Sequence, residues 1–165
     1  RPDDELAVAQ RAHRLRRDFM GYTTRTATDY VGLGVSSIGF VAGAYVQNHK
    51  RLAHYLDAVA AGALATHRGV ALTADDERRA YVIGELLCNF EVSKSAFQAR
   101  FGDRFEAYFA DDLPRLAPLI DESLLDNGAF ALKVTEPGRF VARNAAMCFD
   151  SYRRHGTHGA FSRTL

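Results

Sequence analysis

The chain has 165 residues, room for one domain or two small ones around a real core, and its 47% hydrophobic and 25% charged content is ordinary for a globular protein. A formal net charge of +1 argues neither for a nucleic-acid binder nor for an acidic tail. No apolar run approaches the roughly 18 residues of a membrane span, and Arg1-Pro2-Asp3-Asp4-Glu5 lacks the apolar heart of a secretory signal. The absence of an initiator Met predicts that the natural chain begins upstream.

Residues 3–17 read as a helix, with acidic residues in the first turn and Arg14, Arg16 and Arg17 in the last, as the helix dipole favours. A Thr-rich stretch (21–28) leads to the glycine-punctuated run 30–39, which reads as a strand closely approached by another backbone or by a ligand. Residues 40–46 extend this element or leave it as a surface loop. Asn48 is the expected N-cap of a helix whose apolar stripe is Leu52, Tyr55, Leu56 and Val59, with Gly62 just past its end. Residues 64–71 can form a further strand.

The character of the chain changes at Thr73, where Thr73 and Asp76 make a shortened capping box. Ile83, Leu86, Leu87 and Phe90 supply the inner stripe of the helix that follows. Ser95 is the expected cap of a short helix stopping at Gly102, and Pro114 and Pro118 must kink or divide the helical region 103–123. Asp126-Asn127-Gly128 signals a hairpin into a strand over 130–134. Thr135 caps a last helix with Phe140, Val141, Met147, Cys148 and Tyr152 on its apolar face, and a basic tail closes the sequence. The domain boundary therefore falls near residue 72. Residues 73–152 have winged-helix order, and 153–165 form the tail.

Winged-helix order invites a DNA-binding reading, but residues 73–152 carry 14 acidic against 9 basic side chains, the wrong sign for neutralising phosphates. Gly32-Leu33-Gly34 begins a dinucleotide fingerprint, yet Ser37 stands at its third glycine and no helix signal follows. The glycines leave two readings open, close packing or a ligand lying against the strand. Cys88 and Cys148 read as two buried, reduced thiols, with a disulfide or metal pair as the minor alternative, so the expected compartment is the cytoplasm. The six histidines, at 13, 49, 54, 67, 155 and 158, make no ligand pattern.

Several blocks in order resemble one family: RPDDELAVAQ at the start, DFMGYTT (18–24), GLGVSSI (32–38), YVQN (45–48), RGVALT (68–73), LLCNF (86–90), APLI (117–120), MCFD (147–150) and FSR (161–163). They are similar to the carboxy-terminal part of the oxygen-independent coproporphyrinogen III oxidases, radical S-adenosylmethionine enzymes. The resemblance implies an α+β, mainly helical fold, in which residues 1–72 end an incomplete α/β barrel and a small winged-helix-like domain follows. It implies oxidative decarboxylation of two propionates of coproporphyrinogen III to the vinyls of protoporphyrinogen IX in haem biosynthesis. The cofactors implied for the complete enzyme are S-adenosylmethionine and a [4Fe–4S] cluster held by a CxxxCxxC motif.

Three positions match site positions of that family. Ile38 falls where an apolar residue meets a second S-adenosylmethionine, and Phe19 falls in the active-site segment. Met20 stands where the family commonly has Gln, which trades a hydrogen-bonding side chain for an apolar, polarizable one. CxxxCxxC is absent from these residues, so the fragment alone is expected to hold no cluster and to be inactive. Apolar faces of residues 1–72 are expected to be covered by a missing amino-terminal barrel portion or by self-association. A haem-binding or haem-chaperone relative and a non-catalytic winged-helix interaction module are the alternatives.

Overall fold

A computed structural model describes residues 1–25 and 29–154. The tail from residue 155 and residues 26–28 of the Thr-rich stretch lie outside the described residues. The chain forms two compact units, one of residues 1–24 and 78–165, the other of residues 25–77.

The first unit opens with helix α1 (Glu5–Arg11), where the Asp4 carboxylate accepts the backbone N–H groups of Leu6 and Ala7. The helix is shorter than the sequence predicts. His13 takes a left-handed φ of 51°, which turns the chain so that Leu15 is buried with Ala9 and Cys88. The arginines expected in the last helical turn stand instead in strand β1 (Arg16–Asp18), which pairs with β2 (Gly21–Thr23) in a tight hairpin.

In the second unit the run expected as one strand is divided. Tyr30 makes a single bridge to Phe40, residues with left-handed backbone at Gly34 and Ser36 form a loop, and strand β3 (Ile38–Val41) begins only at Ile38. Ala42 and Gly43, at φ 49° and 76°, make a two-residue hairpin turn into β4 (Ala44–Asn48). Helix α2 (Leu52–Ala60) follows, and β5 (Thr66–Ala71) adds to the far side of β4, giving an antiparallel sheet in the order β3-β4-β5. Asn48 is not the cap of α2. Its side-chain amide donates instead to the carbonyls of Gly32 and Gly34, at 2.9 and 3.0 Å.

Helix α3 (Ala74–Cys88) starts with the expected box: Thr73 N–H donates to Asp76 Oδ2 at 2.9 Å and Asp76 N–H to Thr73 Oγ1 at 3.1 Å. The first unit then runs through β6 (Glu91–Ser93) and α4 (Lys94–Phe101), which is capped by Ser93 rather than Ser95 and stopped at Gly102 in the left-handed region. The proline-bearing region divides as predicted, into α5 (Phe105–Tyr108), a 3₁₀ turn at Leu113–Leu116 and α6 (Ala117–Asp121). The hairpin partners β7 (Leu125–Asn127) and β8 (Ala131–Val134) pair antiparallel, and β8 sits between β6 and β7. A 3₁₀ turn (Pro137–Val141) leads into α7 (Ala142–Cys148) and α8 (Ser151–Arg154).

The core lies in this unit. Phe97, Phe105, Phe109 and Phe149 are buried against Val82, Leu86, Leu116 and Leu132. Their rings meet at centroid distances near 5 Å, with Phe109 edge-on to Phe149 at 5.1 Å. Asp112 is buried beside them and held by Arg79 at 3.2 Å. Phe140 departs from the expected apolar face: it is 94% exposed because the 3₁₀ turn, with its different period, carries it outward.

Candidate functional site

Asp18 shapes the β1–β2 turn. Its Oδ1 accepts the backbone N–H groups of Met20 at 2.7 Å and Gly21 at 3.1 Å, and Gly21 takes a φ of 130° that side chains avoid. Phe19 and Met20 occupy this turn together and are 59% and 94% exposed. Behind them Arg17 and Tyr22 face each other across the hairpin, the guanidinium 5.4 Å from the ring centre. The Tyr22 hydroxyl reaches the Leu87 carbonyl on α3 at 3.5 Å.

This hairpin forms one side of a groove of about 530 Å³ in the first unit. Ile83 and Leu87 of α3, Phe90 just beyond that helix, and Met147 of α7 give the groove an apolar lining. Arg17, Arg139, Arg143 and Arg153 also line it, against one carboxylate, Asp150. Arg139 stacks on Phe90 at 4.9 Å and pairs with Glu136 at 2.9 Å. A carboxylate partner for Arg17 or Arg143 is absent among the described residues.

The 3₁₀ turn that presents Arg139 and Phe140 is fixed by close packing. A side chain on Gly138 would overlap the Leu124 carbonyl, and Thr135 Oγ1 both accepts Gly138 N–H at 3.2 Å and donates to the Ser123 carbonyl at 2.9 Å. The arginines were not singled out by sequence reasoning. The spacing of Arg139, Arg143 and Met147 by four residues places them on one side of the turn and α7, but nothing local ties Arg17 to them.

Ile38 belongs to the second unit, and Phe19 and Met20 belong to the first. Ile38 is half-buried at the head of β3, opposite Gln47. The neighbouring glycines have a structural reason. A Cβ on Gly32 would press on the Ser37 hydroxyl and the Ile38 carbonyl, and one on Gly39 would come within 2.8 Å of the Tyr30 carbonyl. Two backbone segments pass too closely for side chains, which is the packing reading of the glycine run. Gly34 is open, with a φ of 96°, and its N–H donates to the Tyr55 hydroxyl at 3.1 Å.

The residues present do not fit an iron–sulfur cluster, which needs three thiolates. Cys88 is buried and Cys148 half-buried, both are free thiols, and burial pushes both thiols above their ordinary pKa. Among the described residues no group of three His, Cys, Asp or Glu side chains is arranged to hold a metal ion. No helix among them is long and apolar enough to cross a membrane.

Residues 72–141 match the HemN C-terminal domain family. The whole chain is 45% identical to an oxygen-independent coproporphyrinogen III oxidase of Salmonella typhimurium and 40% identical to one of Thermostichus vulcanus, spanning 36% and 51% of their lengths. The Escherichia coli coproporphyrinogen III oxidase HemN, solved as a radical SAM enzyme, superimposes with a TM-score of 0.88 at 47% identity, over 92% of this chain and 35% of that one. The chain thus spans about a third to a half of the length of these relatives.

Proposed function

From a chain that belongs to the HemN family as its carboxy-terminal part, we propose that it is a portion of an enzyme that converts coproporphyrinogen III to protoporphyrinogen IX without oxygen, in the cytoplasm. The observation that carries this is the 45% identity, which runs over the entire chain and not only over the terminal domain. S-adenosylmethionine and the iron–sulfur cluster belong to the complete enzyme and supply its radical chemistry. The cluster's ligands come from outside these residues.

What this chain supplies is surface. We read residues 1–72 as the end of the catalytic barrel, 73–152 as a winged-helix-like domain built on the β6-β8-β7 sheet, and 153–165 as a tail. Ile38 is assigned the apolar contact to a second S-adenosylmethionine, supported by its half-buried place at the head of β3. Phe19 and Met20 are assigned to the active-site lining, supported by their exposure on a turn that Asp18 holds in shape. Leu33, Leu52 and Leu64, 61–88% exposed in the second unit, are assigned to contact with the amino-terminal barrel portion.

An anaerobic assay of the longer protein carrying this chain, with S-adenosylmethionine and a one-electron reductant, tests the reading. The expected products are protoporphyrinogen IX and two molecules of carbon dioxide per turnover. The 165 residues alone are expected to show no turnover and no [4Fe–4S] EPR signal. Haem capture without turnover by the longer protein would favour the haem-chaperone alternative. Met20→Gln in the longer protein is expected to change kcat or the affinity for S-adenosylmethionine, and unchanged kinetics would remove Met20 from the site.

A further inference from the structure

We propose that the arginine-lined groove of the first unit is a docking site for the carboxylate arms of a tetrapyrrole acid, with Arg17 and Arg143 as the residues that take them; this rests on the reading above. The groove combines two properties that point to one kind of ligand. Its lining is apolar, from Ile83, Leu87, Phe90 and Met147, so it removes a large hydrophobic body from water. Around that lining stand four guanidinium groups and a single carboxylate. An apolar molecule with several acid arms matches both, whereas an uncharged ring would leave Arg17 and Arg143 without a carboxylate and a small anion would leave the lining wet.

The individual arginines differ in a way that selects the binding pair. Arg139 is already engaged by Glu136 and lies on the Phe90 ring, so it is a fixed wall. Arg17 and Arg143 have no carboxylate partner among the described residues and come from opposite sides, β1 and α7. Guanidinium is also the cation suited to gripping carboxylate with two parallel hydrogen bonds. Phe140, 94% exposed on a turn that Gly138 and Thr135 hold rigidly, offers a ring face at the same groove. A polypeptide segment of the longer protein is the competing occupant.

Fluorescence titration of the 165-residue chain with coproporphyrin III and with its tetramethyl ester tests the assignment, since the two share a body and differ in the four charges. The acid is expected to bind one per chain and at least tenfold more tightly than the ester, with affinity falling as salt rises. Arg17→Met and Arg143→Met should each weaken the acid at least tenfold and leave the ester unchanged, while Arg100→Met, outside the groove, should change neither. Both groove arginines are exposed, and circular dichroism will confirm that the variants fold. Equal binding of acid and ester, wild-type affinity in both groove variants, or no binding of the acid would each overturn the proposal. Loss of porphyrin binding in the longer protein would overturn it too, in favour of the polypeptide occupant. The outcomes separate from those of the functional reading. Turnover by the longer protein that ignores Arg143→Met retires the groove alone, and the expected titrations without any turnover retire the oxidase alone.

Discussion

The two units treat their apolar side chains in opposite ways. In the first, Phe97, Phe105, Phe109 and Phe149 are at most 1% exposed and touch one another ring to ring. In the second, Leu33, Leu52 and Leu64 keep 61–88% of their surface, and Ala65 is the one buried apolar side chain among its described residues. The second unit is held by other means: the β3-β4-β5 ladder, and Asn48 and Tyr55 bracing the glycine loop. A three-stranded sheet with its apolar side chains in water is marginal by itself. The first unit buries its aromatic side chains, and the second leaves its leucines exposed.

The largest expected effect breaks this contrast at its centre. Phe97→Ala should cost about 3–5 kcal/mol and collapse near-ultraviolet circular dichroism, while Leu56→Ala in the second unit should change the unfolding free energy read by urea by no more than about 0.5 kcal/mol. Comparable losses would mean that the second unit has a core of its own. Next comes the buried charge. Asp112→Ala leaves Arg79 facing the aromatic core without its 3.2 Å partner and should cost about 3 kcal/mol in thermal or urea unfolding. Asp76→Ala removes both hydrogen bonds that Thr73 gives to its carboxylate and should cost about 1 kcal/mol, read as fraying of α3 by hydrogen exchange.

The smallest effect is one of pH. The Lys94 ammonium, 2.8 Å from Glu106, holds that carboxyl below its ordinary 4.5. A lowered carboxylate stabilises the fold above its unfolded pKa and loses that contribution as pH falls through the folded one. Wild type should therefore lose slightly more stability than Glu106→Gln between pH 6 and pH 3. The 46% exposure of Glu106 keeps the difference small, and identical urea midpoints would show the pair to be screened out.

Local chemistry was readable in the sequence wherever a few adjacent residues decide the outcome. The Thr73–Asp76 box, the stop at Gly102 and the turn at Asp126-Asn127-Gly128 need no distant partner. Where a distant surface decides, reading stopped short. His13 ends α1 so that Leu15 can be buried with Cys88, and nothing in the polar run around His13 announces that turn. Asn48 looked like a cap because its neighbours look helical, but its amide is taken by a loop 14 and 16 residues earlier. The apolar stretch 40–46 conceals a hairpin whose turn is made by Ala42, a residue type that rarely adopts left-handed backbone. The groove was least legible of all, since Arg17 and Arg143 meet only through the fold.

The first unit is assembled from two stretches of chain with the whole of the second unit inserted between them. Leu15 waits for Cys88, and Arg16 for Glu85, which it pairs with at 3.1 Å. During synthesis at roughly 5–20 residues per second, that wait is on the order of several seconds. For that time the contacts of this stretch with α3 are unmade, and a loop must close before they can form. Within this unit the order of manufacture thus runs against the order of assembly: the earlier stretch cannot make these contacts until the later one has been made.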